Sequence, residues 1–274
     1  MKTNQQLSLL AMENRERIIK MIYDAKAGHP GGSLSIIDML TAIYETDVNL
    51  TAKQRSRVVL SKGHAVPAQY AILNEKGIIQ DEEMGTFRSV NSRLQGHPHI
   101  VDISEADATT GLLGQGLSVA VGIAIAKQAD QDGHRVYAIV GDGEIQEGQI
   151  WEGVMEAPQF KLDHLVLIVD YNKLSSSGPV NEVMNLNPLA DKFEAFNWDV
   201  YEIDGHNMDE IINVLQIAKK GTGKPIAIIA NTVKGKGISF MENNPKWHSS
   251  PLTDEQYRIA MKDIQSLKEG IHFD

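Results

Sequence analysis

Residues 135–143, RVYAIVGDG, indicate the fold class, because an apolar β-forming run leads directly into two glycines that flank an acid. Similar apolar runs occur at 57–60, 164–169, 199–203 and 226–230. The stretches between them predict helices, at 65–75, 114–129, 144–157 and 208–219. Apolar strands that do not alternate, separated by helices, are typical of a parallel sheet covered on both faces. We therefore predict an α/β fold with a doubly wound, mostly parallel sheet.

The N-terminal region predicts two helices separated by a loop. Apolar residues recur at helical spacing through residues 5–26. The sequence GHPGG at 28–32 is expected to form a loop, because glycine and proline interrupt helices. A second helix is predicted at 36–44. Since no linker rich in Gly, Ser or Pro divides the chain, we expect one domain, residues 1–250, followed by a C-terminal extension at 251–274.

The composition is that of an ordinary globular protein with a surplus of acids. The 274 residues include 26 Lys+Arg and 36 Asp+Glu, which gives a formal net charge of −10. That charge argues against a nonspecific binder of nucleic acid or of an anionic membrane surface. The chain has no cysteine, which excludes disulfides, thiolate metal sites and a cysteine nucleophile. No signal-peptide pattern or bilayer-length apolar run is visible, so a cytoplasmic protein is expected.

Polar residues at two predicted strand ends indicate a ligand site. Ligands of parallel sheets bind beyond the carboxyl ends of the strands. Asp142, between Gly141 and Gly143, follows one strand, and Asn172 follows the next strand 30 positions later. Their oxygens suit a hard divalent cation, and amides at the start of a helix can bind phosphate. Each motif alone is usually a turn, but the pair predicts a metal–diphosphate site.

The same pair resembles the thiamine diphosphate fingerprint, and further motifs resemble those of transketolases. Three segments resemble their histidine loops: AGHPGGSLS at 27–35, LSKGHA at 60–65 and LQGHP at 94–98. Three more resemble the aminopyrimidine loop, the diphosphate loop and the end of the first domain: TTGLLGQGLS at 109–118, GDGEIQEG at 141–148, and NTVKGKG at 231–237 with Trp247-His248. The resemblance implies that residues 1–250 are a diphosphate-binding domain of the transketolase type.

This resemblance implies roles for individual residues. Asp142 and Asn172 would hold Mg²⁺ (or Ca²⁺) together with the peptide carbonyl of Leu174. Contacts to the cofactor thiamine diphosphate would come from His64, Gly111, Leu113, Gly141, Gly143, Asn172 and His248. The catalytic residues would be His29, His64, His97 and His248, since histidine exchanges protons near neutral pH. The remaining histidines are expected to be ordinary turn, surface or core residues: His99, His134, His164, His206 and His272.

The resemblance also implies that a partner is needed. The chain stops at Asp274, before the pyrimidine-binding and C-terminal domains of a full-length transketolase. We therefore expect the N-terminal subunit of a split transketolase of the pentose phosphate pathway (EC 2.2.1.1 class), which moves a two-carbon ketol unit from a ketose phosphate to an aldose phosphate. A C-terminal transketolase subunit with the pyrimidine-binding domain would complete a heterotetramer. Glu147 and Glu152 are expected to lie buried at that interface.

Other functions stay open on the sequence alone. Departures from the family pattern at Leu112, 175–177 and 249–251 allow a split enzyme for a branched or sulfonated sugar. A deoxyxylulose phosphate synthase or a 2-oxo acid dehydrogenase subunit would share the metal fingerprint. The glycines at 111–116 suggest a dinucleotide-binding dehydrogenase as a third alternative, although their spacing is not GxGxxG. A regulatory subunit without activity is a fourth alternative.

Overall fold

Five parallel strands form one sheet in this computed structural model, which describes residues 2–271. The strands are β1 Arg57–Leu60, β2 Val136–Gly141, β3 Leu165–Tyr171, β4 Asp199–Asp204 and β5 Ile226–Asn231. Their order across the sheet is β1-β2-β3-β5-β4. Every neighbouring pair is parallel. The five predicted strands are therefore confirmed, with ends that shift by no more than two residues.

Helices cover both faces of the sheet. They are α1 Asn4–Ala25, α2 Pro30–Thr46, α3 Val66–Glu75, α4 Asp81–Met84, α5 Gln115–Ala129, α6 Gly148–Gln159, α7 Val180–Val183, α8 Leu189–Ala195, α9 Met208–Lys220 and α10 Asp254–Glu269. In β2, Tyr137 and Ile139 face a core built with α1, α2, α3, α9 and α10. Val136, Ala138 and Val140 face the opposite core, built with α5, α6 and α8. This two-faced burial confirms the doubly wound α/β fold.

The predicted loop at 28–32 is wrong, because α2 already begins at Pro30. Proline suits the first helical position, where its missing N–H would have no partner within the helix. The two glycines after it allow close packing rather than ending a helix. A Cβ on Gly31 would lie 2.7 Å from the carbonyl oxygen of Trp247, and one on Gly32 would lie 3.4 Å from Nε2 of His64.

The C-terminal region forms α10, where the sequence alone predicted only an extension. The helix packs along α1, where the rings of Tyr23 and Tyr257 stack with centroids 4.2 Å apart. Ala260 and Ile264 are completely buried in the core that faces α1. The division at residue 250 stays a prediction. His272 and the end of the 251–274 extension lie outside the described residues.

Within residues 2–271, no helix is both long enough and apolar enough to cross a membrane. The longest helix, α1, has 22 residues. It carries six charged side chains, which a bilayer interior would not accommodate without large cost. The cytoplasmic location expected from the sequence stays a prediction.

Candidate active site

A cleft of about 210 Å³ opens at the carboxyl ends of β1, β2 and β3. Its lining includes most residues that the sequence predicts for metal and cofactor binding: His64, Leu113, Gly141, Asp142, Gly143, Asn172, Leu174 and His248. This is the edge of the sheet where parallel folds bind ligands. A larger cavity, about 650 Å³, lies against α1, α4 and α10, away from these strand ends. The smaller cleft is therefore the candidate site, because the side chains predicted to bind a metal and to transfer protons meet there.

Backbone donors hold Asp142 and Asn172 beside each other. The carboxylate of Asp142 is buried, and its Oδ2 accepts the N–H of Lys173, the residue that follows Asn172. Its Oδ1 accepts the N–H of Gly143 at 2.7 Å. The Oδ1 of Asn172 accepts the N–H of Leu174 at 3.2 Å. The loop after β3 thus closes on the acid that follows β2, and brings the two predicted metal ligands together.

The donor set fits a hard divalent cation. It offers a carboxylate, an amide oxygen and the peptide carbonyl of Leu174, the oxygen types that Mg²⁺ and Ca²⁺ prefer. Burial, with the nearby charge of Asp170, raises the pKa of Asp142 to about 7, so a bound cation would stabilise the charged form of this acid. In the part of the chain that the structure describes, no group of three or more His, Asp or Glu side chains could hold a metal. A cation here would therefore take its other ligands from phosphate and water.

A buried anion behind Asn172 fixes the orientation of its amide. Asp170 pairs with Lys62 and accepts hydrogen bonds from Ser35 at 2.6 Å and Thr232 at 2.5 Å. Asp170 also accepts the Nδ2–H of Asn172 at 3.1 Å, which leaves Oδ1 of Asn172 as the atom that can face a cation. Burial opposes the charge of Asp170, but Lys62 and the other donors lower its pKa. Asp170 is thus a fixed anion with its own counterion.

Lys234 also reaches the cleft, although no sequence motif singled it out. Its side chain is buried, and Nζ donates to the carbonyl of Leu174 at 2.7 Å. The same Nζ lies 3.1 Å from Nδ1 of His248. Burial lowers the pKa of Lys234 to about 8. The Leu174 carbonyl, which is predicted to bind a metal, therefore accepts a hydrogen bond from the Lys234 ammonium group in this structure. Similarly, the Gly143 N–H, which is predicted to bind phosphate, donates to Asp142.

Three of the four predicted catalytic histidines come together. The ring centroids of His29 and His64 are 5.2 Å apart, and those of His29 and His248 are 5.5 Å apart. The rings of His64 and His248 are 5.1 Å apart. Burial, with neighbouring cations, lowers the pKa of His29 and of His248 to about 4, and that of His64 well below its usual range. At neutral pH all three are uncharged, so each offers one donor and one acceptor nitrogen.

His97 lies apart from these three and packs against Gly111. A Cβ on Gly111 would be 2.9 Å from Cγ of His97, and Gly111 has φ 142°, so a side chain there would be both strained and crowded. His97 is exposed and shares a separate cavity of about 490 Å³ with Arg88. The ring is still partly covered, and this partial burial, with the charge of Arg88, lowers the pKa of His97. The structure therefore places His97 beside the cleft rather than in the histidine cluster.

Glu144, another residue that the sequence did not reveal, ties three site loops together. It is buried, and its Oε1 accepts hydrogen bonds from the hydroxyl of Ser61 and from the N–H of Gly114 at 2.9 Å. Its Oε2 accepts the N–H of Gly141 at 3.1 Å. This one carboxylate joins the segments after β1, before α5 and after β2. Three further site residues resemble Glu144 in that the sequence did not reveal their role: Lys62, Lys234 and Asp170. Each lies inside or beside a sequence motif, but the motif assigns a role only to other residues.

Glu147 and Glu152 are exposed at the start of α6. The loop before α5 and the helices α5 and α6 also carry exposed apolar side chains, which we call together the α5–α6 face. Its members are Leu112, Leu113, Val119, Ile125 and Met155. The two helices are joined by a hydrogen bond from Gln149 to Ser118 at 2.7 Å. Burial of the two glutamates at an interface stays a prediction.

Comparison with known proteins shows the family to which this chain belongs. The chain matches the family described as "Transketolase, thiamine diphosphate binding domain" over residues 8–269. It is 42% identical over 270 residues to one subunit of an apulose-4-phosphate transketolase of Phocaeicola vulgatus, covering 97% of this chain and 96% of that protein. It is also 42% identical over 275 residues to the 6-deoxy-6-sulfo-D-fructose transketolase subunit SqwG of a Clostridium species, covering 98% of this chain and 99% of that protein.

The chain therefore belongs to the transketolase family, and the fold supports this. A transketolase structure from Campylobacter jejuni superposes with a TM-score of 0.89 at 33% identity. The match covers 99% of this chain and 46% of the Campylobacter chain, so the present chain spans about half the length of that transketolase. The dehydrogenase alternative has no support, since residues 111–114 precede α5 without a strand before them.

Proposed function

We propose that this chain is the diphosphate- and metal-binding subunit of a two-chain transketolase that transfers a two-carbon ketol unit from a ketose phosphate to an aldose phosphate. The observation that carries the proposal is the joint placement of Asp142, Asn172 and Leu174 in the cleft that His64 and His248 also line. The two similar subunits, which this chain covers almost completely, support a two-chain enzyme.

The residues of the cleft divide the work between binding and proton handling. Asp142, Asn172 and the carbonyl of Leu174 would hold Mg²⁺ or Ca²⁺, while the Gly143 amide and Lys234 would bind diphosphate oxygens. When bound, thiamine diphosphate supplies the electron sink for cleaving the bond next to a ketose carbonyl.

The uncharged histidines would bind the sugar. His29 and His64 can each accept a hydrogen bond from one hydroxyl and donate one to another, because burial keeps their rings neutral. His248 would donate through Nε2, since its Nδ1 faces the ammonium group of Lys234. Their ring separations, 5.1 to 5.5 Å, leave the three side chains facing one small volume. His97, on the far side of Gly111, would contact a more distant part of the substrate.

The enzyme would be active only with a partner subunit that carries a pyrimidine-binding domain, assembled as a heterotetramer. The α5–α6 face supports this part of the proposal. Leu112 is 77% exposed and precedes Leu113, which lines the cleft, and Met155 of α6 is 58% exposed. Clustered exposed apolar side chains next to a site mark interaction surfaces. Glu147 and Glu152 would become buried there on assembly.

A branched or sulfonated sugar is the second candidate donor. Both of the similar subunits are named for other sugars than the ordinary ketose phosphates, one for apulose-4-phosphate and one for 6-deoxy-6-sulfo-D-fructose. Their identity to this chain, 42% in each case, does not favour one donor over the other. The cleft residues of this chain would serve either donor, and an assay with each donor distinguishes the two candidates.

Reconstitution tests the proposal. The chain is mixed with a pyrimidine-binding subunit encoded beside it, Mg²⁺ and thiamine diphosphate, and supplied with an aldose phosphate and one donor at a time. The donors are ketose phosphates, a branched sugar phosphate and a sulfonated ketose, with pyruvate as the comparison. We expect ketol transfer only when both chains are present. Turnover by this chain alone, or decarboxylation of pyruvate, would overturn the proposal.

A further inference from the structure

We propose that His206 is a positioning residue of this site, which acts with Asp38 and Arg15 to fix the segment 232–237 so that Lys234 reaches the cleft. The inference rests on the proposed function, in which Lys234 binds diphosphate oxygens. His206 lies between β4 and α9, where the sequence predicts an ordinary surface or core residue. The structure instead places it in a network of buried charges.

His206 bridges α2 and the residue before Lys234. Its Nδ1 lies 2.7 Å from Oδ2 of Asp38, and its Nε2 accepts the backbone N–H of Val233 at 2.9 Å. A nitrogen that accepts an N–H carries no proton, so Nδ1 holds the ring proton and donates it to Asp38. Both nitrogens are therefore committed, and the ring is a neutral spacer of fixed tautomer between the two elements.

Arg15 grips the same segment from the other side of Lys234. Its guanidinium is completely buried and forms a two-point ion pair with Asp38, with N–O distances of 2.9 and 2.6 Å. Its Nε donates to the carbonyl of Lys236 at 3.2 Å. The network thus holds the segment at the Val233 amide and at the Lys236 carbonyl, one residue before Lys234 and two residues after it.

The other contacts of this segment direct Lys234 toward the cleft. The N–H of Gly235 donates to the carbonyl of Gly31 at 3.0 Å, which ties the segment to the first turn of α2 beside His29. A Cβ on Gly235 would lie 2.5 Å from the carbonyl oxygen of Met241, so the segment packs directly against other backbone at a position where only glycine fits. With its backbone fixed on both sides, the Lys234 side chain extends to Leu174 and His248.

Stability alone is a weak reason for such a network. A buried ion pair must overcome the loss of hydration of both charges, and well-packed apolar residues often stabilise a core equally well. Arg15 and Asp38 are 0% and 4% exposed, so both have lost nearly all contact with water. What apolar residues cannot supply is a directed acceptor for Val233 and a directed donor for Lys236. Precise placement of Lys234 is therefore the function that accounts for the polar network.

Two substitutions separate placement from simple packing. His206→Gln can still accept the Val233 N–H through Oε1, whose reach is similar to that of Nε2. His206→Asn can still donate to Asp38 but is too short to reach Val233. His164→Gln is the matched control, because His164 is a buried histidine that hydrogen-bonds to Ala124 under α5.

The probe is inorganic pyrophosphate with Mg²⁺, titrated calorimetrically into the full chain and into each variant with Lys234 intact or replaced in Lys234→Met. We expect His206→Asn to weaken affinity about tenfold and His206→Gln less than about threefold, and we expect neither change once Lys234 is removed. Equal losses in the two variants, or losses that persist in Lys234→Met, would overturn the positioning role. If the unaltered chain fails to bind pyrophosphate with Mg²⁺, the proposed function itself fails.

A measurement on the unaltered chain covers the case in which His206→Asn does not fold. Nitrogen NMR of the histidine rings reports which ring nitrogen of His206 is protonated. We expect a proton on Nδ1 and none on Nε2 at neutral pH. A proton on Nε2 would mean that His206 does not hold Val233, and would overturn the inference.

Discussion

Two buried acids at neighbouring strand ends have opposite electrostatic environments. Asp170 pairs with Lys62 and accepts three further side-chain donors, and these interactions outweigh burial and lower its pKa. Within residues 2–271, the hydrogen-bond donors to Asp142 are the backbone N–H groups of Gly143 and Lys173, and its pKa rises to about 7 because of burial and the charge of Asp170. When environments push the pKa values of adjacent acids apart, the acids serve different tasks. Asp170 is the anion that orients Asn172, and Asp142 is the acid that gains most from a bound cation.

The histidine cluster predicts a loss of stability in acid. Folding holds His29 neutral with a pKa of about 4, whereas the unfolded chain titrates near 6.5. Between these values the unfolded state binds a proton that the folded state does not, so the free energy of unfolding falls as pH falls. One histidine contributes at most about 1.4 kcal/mol per pH unit, and the partial exposure of His29 reduces this.

Urea unfolding at pH 7 and pH 5 measures this effect. In His29→Asn the free energy of unfolding should fall less between the two pH values than it does in the unaltered chain. The difference is expected to be about 1 kcal/mol. Equal falls in the two proteins would show that His29 does not titrate as its burial implies.

At the scale of elements, alanine substitutions at two helical glycines, Gly31 in α2 and Gly122 in α5, should change the free energy of unfolding differently. A Cβ at Gly31 would meet the Trp247 carbonyl at 2.7 Å and the Lys234 side chain at 2.9 Å, whereas one at Gly122 in α5 would meet nothing within 4 Å. Gly31→Ala should therefore cost about 1–3 kcal/mol of unfolding free energy. Gly122→Ala should be neutral or add up to about 1 kcal/mol. Urea unfolding of both variants is the measurement, and a stable Gly31→Ala would contradict the close packing described here.

The elements themselves were largely predictable, and the start of α2 shows why some were not. Strands buried on both faces are continuous apolar runs, so β2 and β3 are visible without any partner. The sequence GHPGG is compatible with a loop and equally compatible with the start of a helix that packs closely against other backbone. The deciding contacts of Gly31 come from Trp247 and Lys234, about two hundred positions away. No local pattern carries that information.

The same limit applies to the site. Asp142 and Asn172 could be placed together because each follows a strand, and parallel strands end at one edge. Lys234 and Glu144 could not be singled out, because a charged residue in a sequence is normally solvated. Their burial depends on acceptors and donors from separate segments, such as Leu174 for Lys234 and Ser61 for Glu144.

At the scale of the whole molecule, the α5–α6 face predicts how the chain meets its partner. Met155→Glu places a charge on this face and should weaken the affinity for the pyrimidine-binding partner by about tenfold or more. Ile259→Glu is the matched control, because Ile259 is an exposed apolar residue on α10, at 39%, on the opposite face of the sheet. Sedimentation of the mixed chains reports the affinity. Equal weakening by both substitutions, or by neither, would place the partner elsewhere.

The proposed cofactor site depends on a cation shared by Asp142 and Asn172, and calorimetry with thiamine diphosphate measures whether that cation is needed. We expect the chain to bind the cofactor when Mg²⁺ is present, and to lose binding when Mg²⁺ is removed or in Asp142→Ala. Asp163→Ala is the control, since Asp163 is an exposed aspartate at the other end of β3 and should leave binding unchanged. Unchanged affinity in Asp142→Ala, or binding that does not require a metal, would show that no cation shared by Asp142 and Asn172 holds the cofactor.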